Sequence, residues 1–240
     1  DRSERIRPAI GRWQLATADA PSGPTLYELY APGADWRSHE FTEDLGNANM
    51  PRPDGICMGI DLEKKTASTR FVPATTLAHM VGETVRAVEA QEILGKGRIL
   101  VIGIPGAYTP ICTTQHVPNL VDNAEALASK GFDRLVCIAP NDPFVLDRWA
   151  QELAPNGEVQ FYSDGNLDFF KALSMTTKVE SLFLGERCKR FMMIVENGRI
   201  VHFRVERDVT HFTCTGATEA LQMIAPQTKH EDSPLFKGRK

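Results

Sequence analysis

The chain has 240 residues, of which 42% are hydrophobic and 24% are charged, enough for one large domain or one domain with an extension. Its net charge of −4 offers no basic surface for nucleic acid or for an acidic membrane, and no apolar run approaches the ~18 residues of a transmembrane helix. The cysteines number five, an odd and sparse set that is untypical of a secreted disulfide scaffold and favours a reducing intracellular compartment.

The first part of the chain, residues 1–68, shows neither helical nor strand periodicity, yet it carries Trp13, Trp36 and further aromatic residues. Linkers seldom carry so many aromatic side chains, so we expect an irregular N-terminal extension that packs at least partly on the main domain. Its arginine-rich opening resembles the end of an organelle transit peptide, although Asp1 and Glu4 are unusual there. The cytosol and a mitochondrion-like organelle both remain candidate locations.

Strand and helix patterns alternate from about residue 69. The mixed patterning of residues 82–94 predicts a short strand and a helix. Residues 98–104 and 134–139 are continuous apolar runs, which are typical of central strands covered on both faces. Apolar residues at helical spacing follow the first of these runs and predict a helix that ends near Lys130: Val117, Leu120, Val121, Ala124, Leu127 and Ala128.

The second half of the chain adds further elements. Asp142 followed by Pro143 is a helix-start signal, because the aspartate can cap the helix and proline needs no N–H at the first position. Short runs predict a strand over residues 159–162 and a helix over 166–173. Asn197 and Gly198 accept positive φ, so they predict a hairpin between the strand runs 191–195 and 200–205.

A last helix is predicted over residues 215–224, followed by a charged tail, 226–240. The order of strand, helix, strand and helix, then a hairpin and a final helix, indicates an α/β protein with a mixed central sheet flanked by helices. We therefore expect a thioredoxin-like fold over residues 69–225.

The joint between the first central strand and its helix carries the candidate chemistry. Thr109 and Pro110 predict the helix start, and Cys112 then falls in the first helical turn. The unpaired N–H groups and the positive end of the helix dipole favour a thiolate there. The alternative is that Cys112 is simply a small buried apolar residue.

The spacing Pro105-x3-Thr109-x2-Cys112 resembles the active-site signature of the peroxiredoxins. The wider run, Gly-Ile-Pro-Gly-Ala-Tyr-Thr-Pro-x-Cys-x3-His-x-Pro, resembles the type II branch of that family. This resemblance implies a thiol peroxidase that reduces hydrogen peroxide and alkyl hydroperoxides, with peroxynitrite as a further candidate. It also implies a thioredoxin- or glutaredoxin-like reductant, a non-covalent homodimer, and no metal or organic cofactor.

The resemblance assigns roles to residues of this loop. Cys112 matches the peroxidatic cysteine, which becomes a sulfenic acid. Thr109 matches the hydroxyl beside the bound peroxide, and Pro105 matches the residue that shields the pocket. Gly106 and His116 fall in the substrate pocket.

A second segment, Arg187-Cys-Lys-Arg190-Phe191, resembles the family's Arg-x-x-Arg-Phe. Arg190 matches the arginine that contacts both the thiolate and the peroxide, a role for which a fixed fork of donors suits guanidinium better than ammonium. Arg187 is interpreted as a surface or supporting charge.

Two thiols are candidates for resolving the sulfenic acid. Cys214, in a loop before the last helix, matches the resolving cysteine of the animal-type atypical two-cysteine branch and is favoured. Cys137 matches the plant-type position but lies in the middle of an apolar strand run.

Two other classes of function stay open at this point. One is a non-catalytic peroxide sensor or chaperone on the same fold. The other is a zinc protein, since Cys112-x3-His116 and His211-x2-Cys214 could together supply a Cys2His2 set.

Overall fold

The two continuous apolar runs of the sequence form neighbouring central strands in the computed structural model, which describes residues 58–59 and 71–224. Apart from Met58–Gly59, the predicted extension over residues 1–68 lies outside the described residues, and so does the predicted tail over 226–240.

The strands are β1 (Met58–Gly59), β2 (Thr76–Val81), β3 (Thr84–Glu89), β4 (Arg98–Gly103), β5 (Arg134–Ala139), β6 (Gln160–Ser163), β7 (Thr176–Lys178), β8 (Glu186–Cys188), β9 (Phe191–Glu196) and β10 (Arg199–Val205). The main sheet of the described residues is mixed, with strand order β1-β10-β9-β4-β5-β6-β2-β3. Strands β4, β5 and β6 run parallel, and the other neighbours in this sheet are antiparallel. Strands β7 and β8 form a separate antiparallel pair.

Strand β4 shows why its sequence is apolar throughout. Ile99 and Val101 belong to one buried apolar cluster, whereas Leu100 and Ile102 belong to a second cluster. Because successive strand residues point to opposite faces, these two clusters cover the two faces of the sheet. The prediction of a central strand buried on both sides is therefore confirmed.

The helices pack against this sheet, and none in the described part of the chain is both long and apolar enough to cross a membrane. They are α1 (Ala90–Leu94), α2 (Val117–Asp122), α3 (Ala124–Ser129), α4 (Pro143–Leu153), α5 (Asp168–Ala172) and α6 (Ala217–Met223), with a π-helical turn (Cys112–His116) before α2. Helix α4 begins as predicted, with the Asp142 carboxylate accepting a 2.9 Å hydrogen bond from the N–H of Val145.

The prediction of one continuous helix after β4 is wrong. The segment is a π-helical turn followed by α2 and α3, which are separated at Asn123. Asn123 has φ −103° and ψ 8°, outside the helical region, and its side chain donates to the carbonyl of Asn119 instead. The apolar spacing still identified the buried face, since Val117, Leu120 and Leu127 are fully buried.

The predicted hairpin is confirmed. Strands β9 and β10 pair antiparallel, and Asn197 and Gly198 have φ of 49° and 79°. Strand β3 and helix α1 match the strand and the helix predicted over residues 82–94. Their neighbour β2, and the pair β7 and β8, were not predicted.

Candidate active site

The loop that follows β4 is held by hydrogen bonds to the end of β5 and to the loop that follows β5. The N–H of Ile104 donates to the Ile138 carbonyl over 3.1 Å, and the N–H of Ala107 donates to Oδ1 of Asn141 over 2.8 Å. Pro105 and Gly106, both predicted site residues, are buried within this loop. The parallel pairing of β4 and β5 thus fixes the position of the segment that leads to Cys112.

The helical segment begins at Pro110, so Cys112 is its third residue, as predicted. The N–H of Thr113 donates to the Thr109 carbonyl over 3.0 Å, whereas the Thr109 hydroxyl donates to the Gly106 carbonyl over 2.8 Å. Because this hydroxyl already donates its one hydrogen bond to the Gly106 carbonyl, its oxygen can only accept a further hydrogen bond. Thr109 is therefore arranged to accept from a protonated ligand atom.

Cys112 and Arg190 meet in the interior, 78 residues apart along the chain. Cys112 is 0% exposed and Arg190 is 2% exposed, and Nη1 of Arg190 lies 3.3 Å from Sγ of Cys112. Nη2 donates to the Val209 carbonyl over 2.8 Å, while the buried Nε has no hydrogen-bond partner among the described residues. The guanidinium is thus fixed by the Val209 carbonyl and keeps the Nε donor uncommitted among the described residues.

His116 supports Arg190. Its Nε2 lies 2.9 Å from the Thr215 carbonyl, which can only accept, so we assign the ring proton to Nε2. Nδ1 is then an acceptor and receives a hydrogen bond from Nη1 of Arg190 over 3.1 Å. Burial, and then the charge of Arg190, hold the pKa of His116 well below its ordinary value, which keeps the ring neutral. His116, which was predicted in the substrate pocket, is fully buried and contacts the same Nη1 of Arg190 as Cys112 does.

The cysteines are in different states. Cys112, Cys137 and Cys188 are free thiols, whereas Cys214 is disulfide-bonded. The predicted Cys112–Cys214 link is therefore not formed in this structure. Burial, reinforced by the charge of Cys112, raises the pKa of the Cys137 thiol well above its ordinary value. The thiol of Cys188 donates to the Ile104 carbonyl over 2.9 Å.

A zinc site has no support in the described part of the chain, which holds no group of three or more His, Cys, Asp or Glu residues able to bind a metal. Both ring nitrogens of His116 are engaged by Thr215 and Arg190. His211 pairs with Asp208 at 2.8 Å.

Sequence reasoning singled out His211 and Cys214 within residues 206–215 but did not predict that this segment supports Arg190 and His116. Its contributions to the site include two backbone carbonyls, those of Val209 and Thr215, which can come from any residue type and so leave no sequence signal. The buried carboxylate of Glu206 also lies there, and the N–H of Glu206 donates to the Arg190 carbonyl over 2.9 Å.

Comparison with known proteins shows which family this chain resembles. The redoxin family matches residues 66–221. The mitochondrial peroxiredoxin-2F of Oryza sativa subsp. japonica is 34% identical over 166 residues, which cover 69% of this chain and 84% of the rice protein.

Solved structures agree. Reduced Prx3 of Vibrio vulnificus in complex with hydrogen peroxide has a TM-score of 0.62 at 27% identity, covering 67% of this chain and 100% of the bacterial one. The antioxidant protein of Plasmodium falciparum, described as a 1-Cys peroxiredoxin, has a TM-score of 0.59 at 25% identity, covering 64% and 95% of the two chains.

The fold is thus the thioredoxin-like fold predicted from the sequence, and the homologues make the chain a thiol peroxidase, an enzyme of the oxidoreductase class. The chain belongs to the peroxiredoxin family.

Proposed function

We propose that Cys112 is the peroxidatic thiol and that the enzyme reduces hydrogen peroxide and alkyl hydroperoxides, with peroxynitrite as a further candidate. The contact that supports this proposal most directly is the 3.3 Å approach of Nη1 of Arg190 to Sγ of Cys112. A permanently charged guanidinium beside a buried sulfur favours the thiolate, which is the nucleophile.

In the first step, the Cys112 thiolate attacks one oxygen of the hydroperoxide and the O–O bond breaks. The attacked oxygen keeps the hydroperoxide proton and stays on sulfur as a sulfenic acid, and the other oxygen leaves as hydroxide or alkoxide, which takes a proton from solvent to become water or an alcohol. Negative charge moves from sulfur to the leaving oxygen, so donors fixed in that direction lower the barrier. Arg190, with Nε uncommitted among the described residues, supplies such a donor.

Thr109 is proposed to hold the peroxide. Its hydroxyl proton is committed to the Gly106 carbonyl, so its oxygen accepts the hydrogen bond of the hydroperoxide O–H. The buried Pro105 and Gly106 shape the same loop and limit the access of water. Substrate is therefore held between an acceptor from the loop after β4 and a donor from the short link between β8 and β9.

The sulfenic acid then condenses with a thiol, which forms a disulfide and releases water. Cys214 remains our candidate for an internal cycle, and it becomes available once its present disulfide has been reduced or exchanged. Cys137 is a weaker candidate, because a buried thiol with a raised pKa is a poor nucleophile. If neither thiol reacts, an external thiol completes the cycle, as the name of the 1-Cys relative from P. falciparum would suggest.

A disulfide between Cys112 and Cys214 would be reduced by a thioredoxin- or glutaredoxin-like dithiol. We propose a non-covalent homodimer, for which the exposed aromatic side chains of Tyr108, Phe144 and Phe183 are suitable contact residues. The mitochondrial name of the rice relative supports a mitochondrion-like organelle, with the cytosol as the alternative.

Replacing Cys112 by Ser tests the proposal. We expect peroxide consumption with a dithiol reductant to fall to the uncatalysed rate, with Cys188→Ser as the control, since Cys188 is also a buried thiol. Retained turnover in Cys112→Ser would end the proposal. A wild-type protein that reacts with one equivalent of peroxide but never turns over would favour the sensor or chaperone alternative.

A further inference from the structure

Glu206 follows β10 and has a buried carboxylate that is only 2% exposed. Its Oε1 accepts from the backbone N–H groups of Thr213, Cys214 and Thr215 over 2.8, 2.8 and 3.1 Å. The hydroxyl of Thr215 also donates to Oε1 over 2.9 Å, and that of Thr213 donates to Oε2 over 2.9 Å. A buried charge is costly unless hydrogen bonds satisfy it, and this carboxylate accepts five while holding residues 213–215 in one conformation.

The same loop orients the active-site arginine. The Thr215 carbonyl accepts from Nε2 of His116 over 2.9 Å, and Nδ1 of His116 accepts from Nη1 of Arg190 over 3.1 Å. The N–H of Glu206 donates to the Arg190 carbonyl over 2.9 Å. Glu206 therefore links the backbone of Arg190 to the loop whose carbonyl orients the His116 ring and, through that ring, the guanidinium.

We propose that Glu206 is a positioning residue for peroxide reduction, an inference that rests on the proposed function of Cys112 and Arg190. Without its side chain, residues 213–215 lose their common acceptor, the Thr215 carbonyl is no longer fixed against His116, and Nη1 of Arg190 loses its alignment. A displacement of about 1 Å in a reacting group can lower a rate about a hundredfold.

The proposed role of Glu206 depends on the hydrogen bonds that its side chain accepts. A neutral side chain of the same shape can accept most of them, so the effect of these bonds can be separated from the effect of the negative charge. In Glu206→Gln, the amide oxygen can take the place of Oε1 and accept the same four hydrogen bonds. The amide NH2 can take the place of Oε2 and donate to the hydroxyl of Thr213, which also accepts. We therefore expect residues 213–215 to keep their conformation in Glu206→Gln and to lose it in Glu206→Ala.

The test is a stopped-flow measurement of the second-order rate constant of the dithiol-reduced full chain with hydrogen peroxide. Alkylation of Cys112 by iodoacetamide is measured in parallel, because it needs the thiolate but no donor to a leaving oxygen. The matched control is Asp164→Asn. Asp164 is also a buried carboxylate that collects backbone N–H groups, those of Phe169 and Phe170.

We expect Glu206→Ala to lower the peroxide rate about tenfold to a hundredfold with a smaller fall in the alkylation rate, because alkylation depends on Arg190 only through the thiolate, and Glu206→Gln to restore the peroxide rate. Loosening of the whole site would instead expose Cys112 and raise its alkylation rate, which would contradict a positioning role. A folded Glu206→Ala variant with the wild-type peroxide rate would overturn the inference, as would a Gln variant as slow as the Ala variant.

If Glu206→Ala does not fold, Thr215→Val removes a single donor to the carboxylate and keeps the backbone carbonyl. We expect a smaller loss of peroxide rate in the same direction, and no loss would overturn the inference. Failure of the proposed function would look different, since peroxide would then be consumed equally by the wild type and by Cys112→Ser.

Discussion

Nη1 of Arg190 lies between Sγ of Cys112, at 3.3 Å, and Nδ1 of His116, at 3.1 Å. The sulfur and the ring nitrogen thus share one donor atom, and both accepting residues are fully buried. The charged guanidinium therefore contacts the sulfur of the proposed nucleophile and a neutral imidazole. This arrangement makes Arg190 a fixed electrostatic component of the site.

Replacing Arg190 by Lys should lower the rate constant for hydrogen peroxide about a hundredfold, because removing a preorganised donor to a developing negative charge costs about that much. A single ammonium group cannot serve Cys112, His116 and the Val209 carbonyl together. Stopped-flow kinetics on the folded variant checks this expectation.

The control is Arg98→Lys, since Arg98 is a partly buried arginine whose guanidinium binds Glu196 at 2.7 Å, away from the site. The assignment of Arg190 would be wrong if Arg190→Lys or Arg190→Ala kept the full peroxide rate.

Thr109 offers a second matched pair. Thr109→Ser keeps a hydroxyl that can donate to the Gly106 carbonyl, whereas Thr109→Val keeps the shape and loses the oxygen. We expect near wild-type peroxide kinetics for Ser and a loss of about tenfold to a hundredfold for Val, in the range of a missing hydrogen bond in the transition state. Equal rates for the two variants would show that the oxygen does not contact the substrate.

Much of the fold follows from local sequence signals. The apolar runs of β4 and β5, the Asp142–Pro143 helix start and the Asn197–Gly198 turn each depend on neighbouring residues, and each was predictable. Strand β2 was missed because Thr76–Val81 is only partly buried and lacks a continuous apolar run. The break at Asn123 was missed because apolar spacing continues across it.

The site residues that the sequence predicts lie mainly in two short motifs. Cys112, Thr109 and Pro105 lie within a few residues of each other, and Arg190 has its own motif. The support of Arg190 includes contacts between distant residues, such as Arg190 with His116, 74 positions apart, and His116 with Thr215, 99 positions apart. Periodicity and composition carry no information about such contacts. Glu206 was not predicted because three of its partners are backbone N–H groups, which any non-proline residue supplies.

The stability of the protein should fall in mildly acidic solution because of His116. Its pKa is held well below 6.5 in the folded state, by burial and then by Arg190, and returns to its ordinary value on unfolding. The unfolded chain therefore binds more protons below about pH 6.5, and stability is lost as the pH falls from there towards the depressed folded pKa.

Urea unfolding midpoints of the wild type and of His116→Asn, measured at about pH 7.5 and about pH 5.5, test this expectation. The Asn variant should lose less stability on acidification than the wild type, since the other titrating groups are common to both. An identical acid dependence in the two proteins would mean that His116 is not the neutral, buried ring described above.

The cap of α4 gives a prediction about stability alone. Asp142 accepts from the N–H of Val145 at the exposed start of this helix. Asp142→Ala should lower the free energy of unfolding by about 1 kcal/mol, the usual value of an N-cap, and leave the peroxide rate unchanged. Chemical denaturation gives the first quantity and stopped-flow kinetics the second, and a large loss of activity would show that the cap also positions the active-site loop.

The most direct test of the central claim is peptide mass analysis under non-reducing conditions, after the reduced chain has received one equivalent of hydrogen peroxide with dimedone present. We predict oxidation at Cys112, found either as a dimedone adduct or in a disulfide with Cys214, while Cys188 remains a thiol. A link to Cys137 would change the resolving residue only. Peroxide consumed with Cys112 still reduced would contradict its role as the peroxidatic thiol.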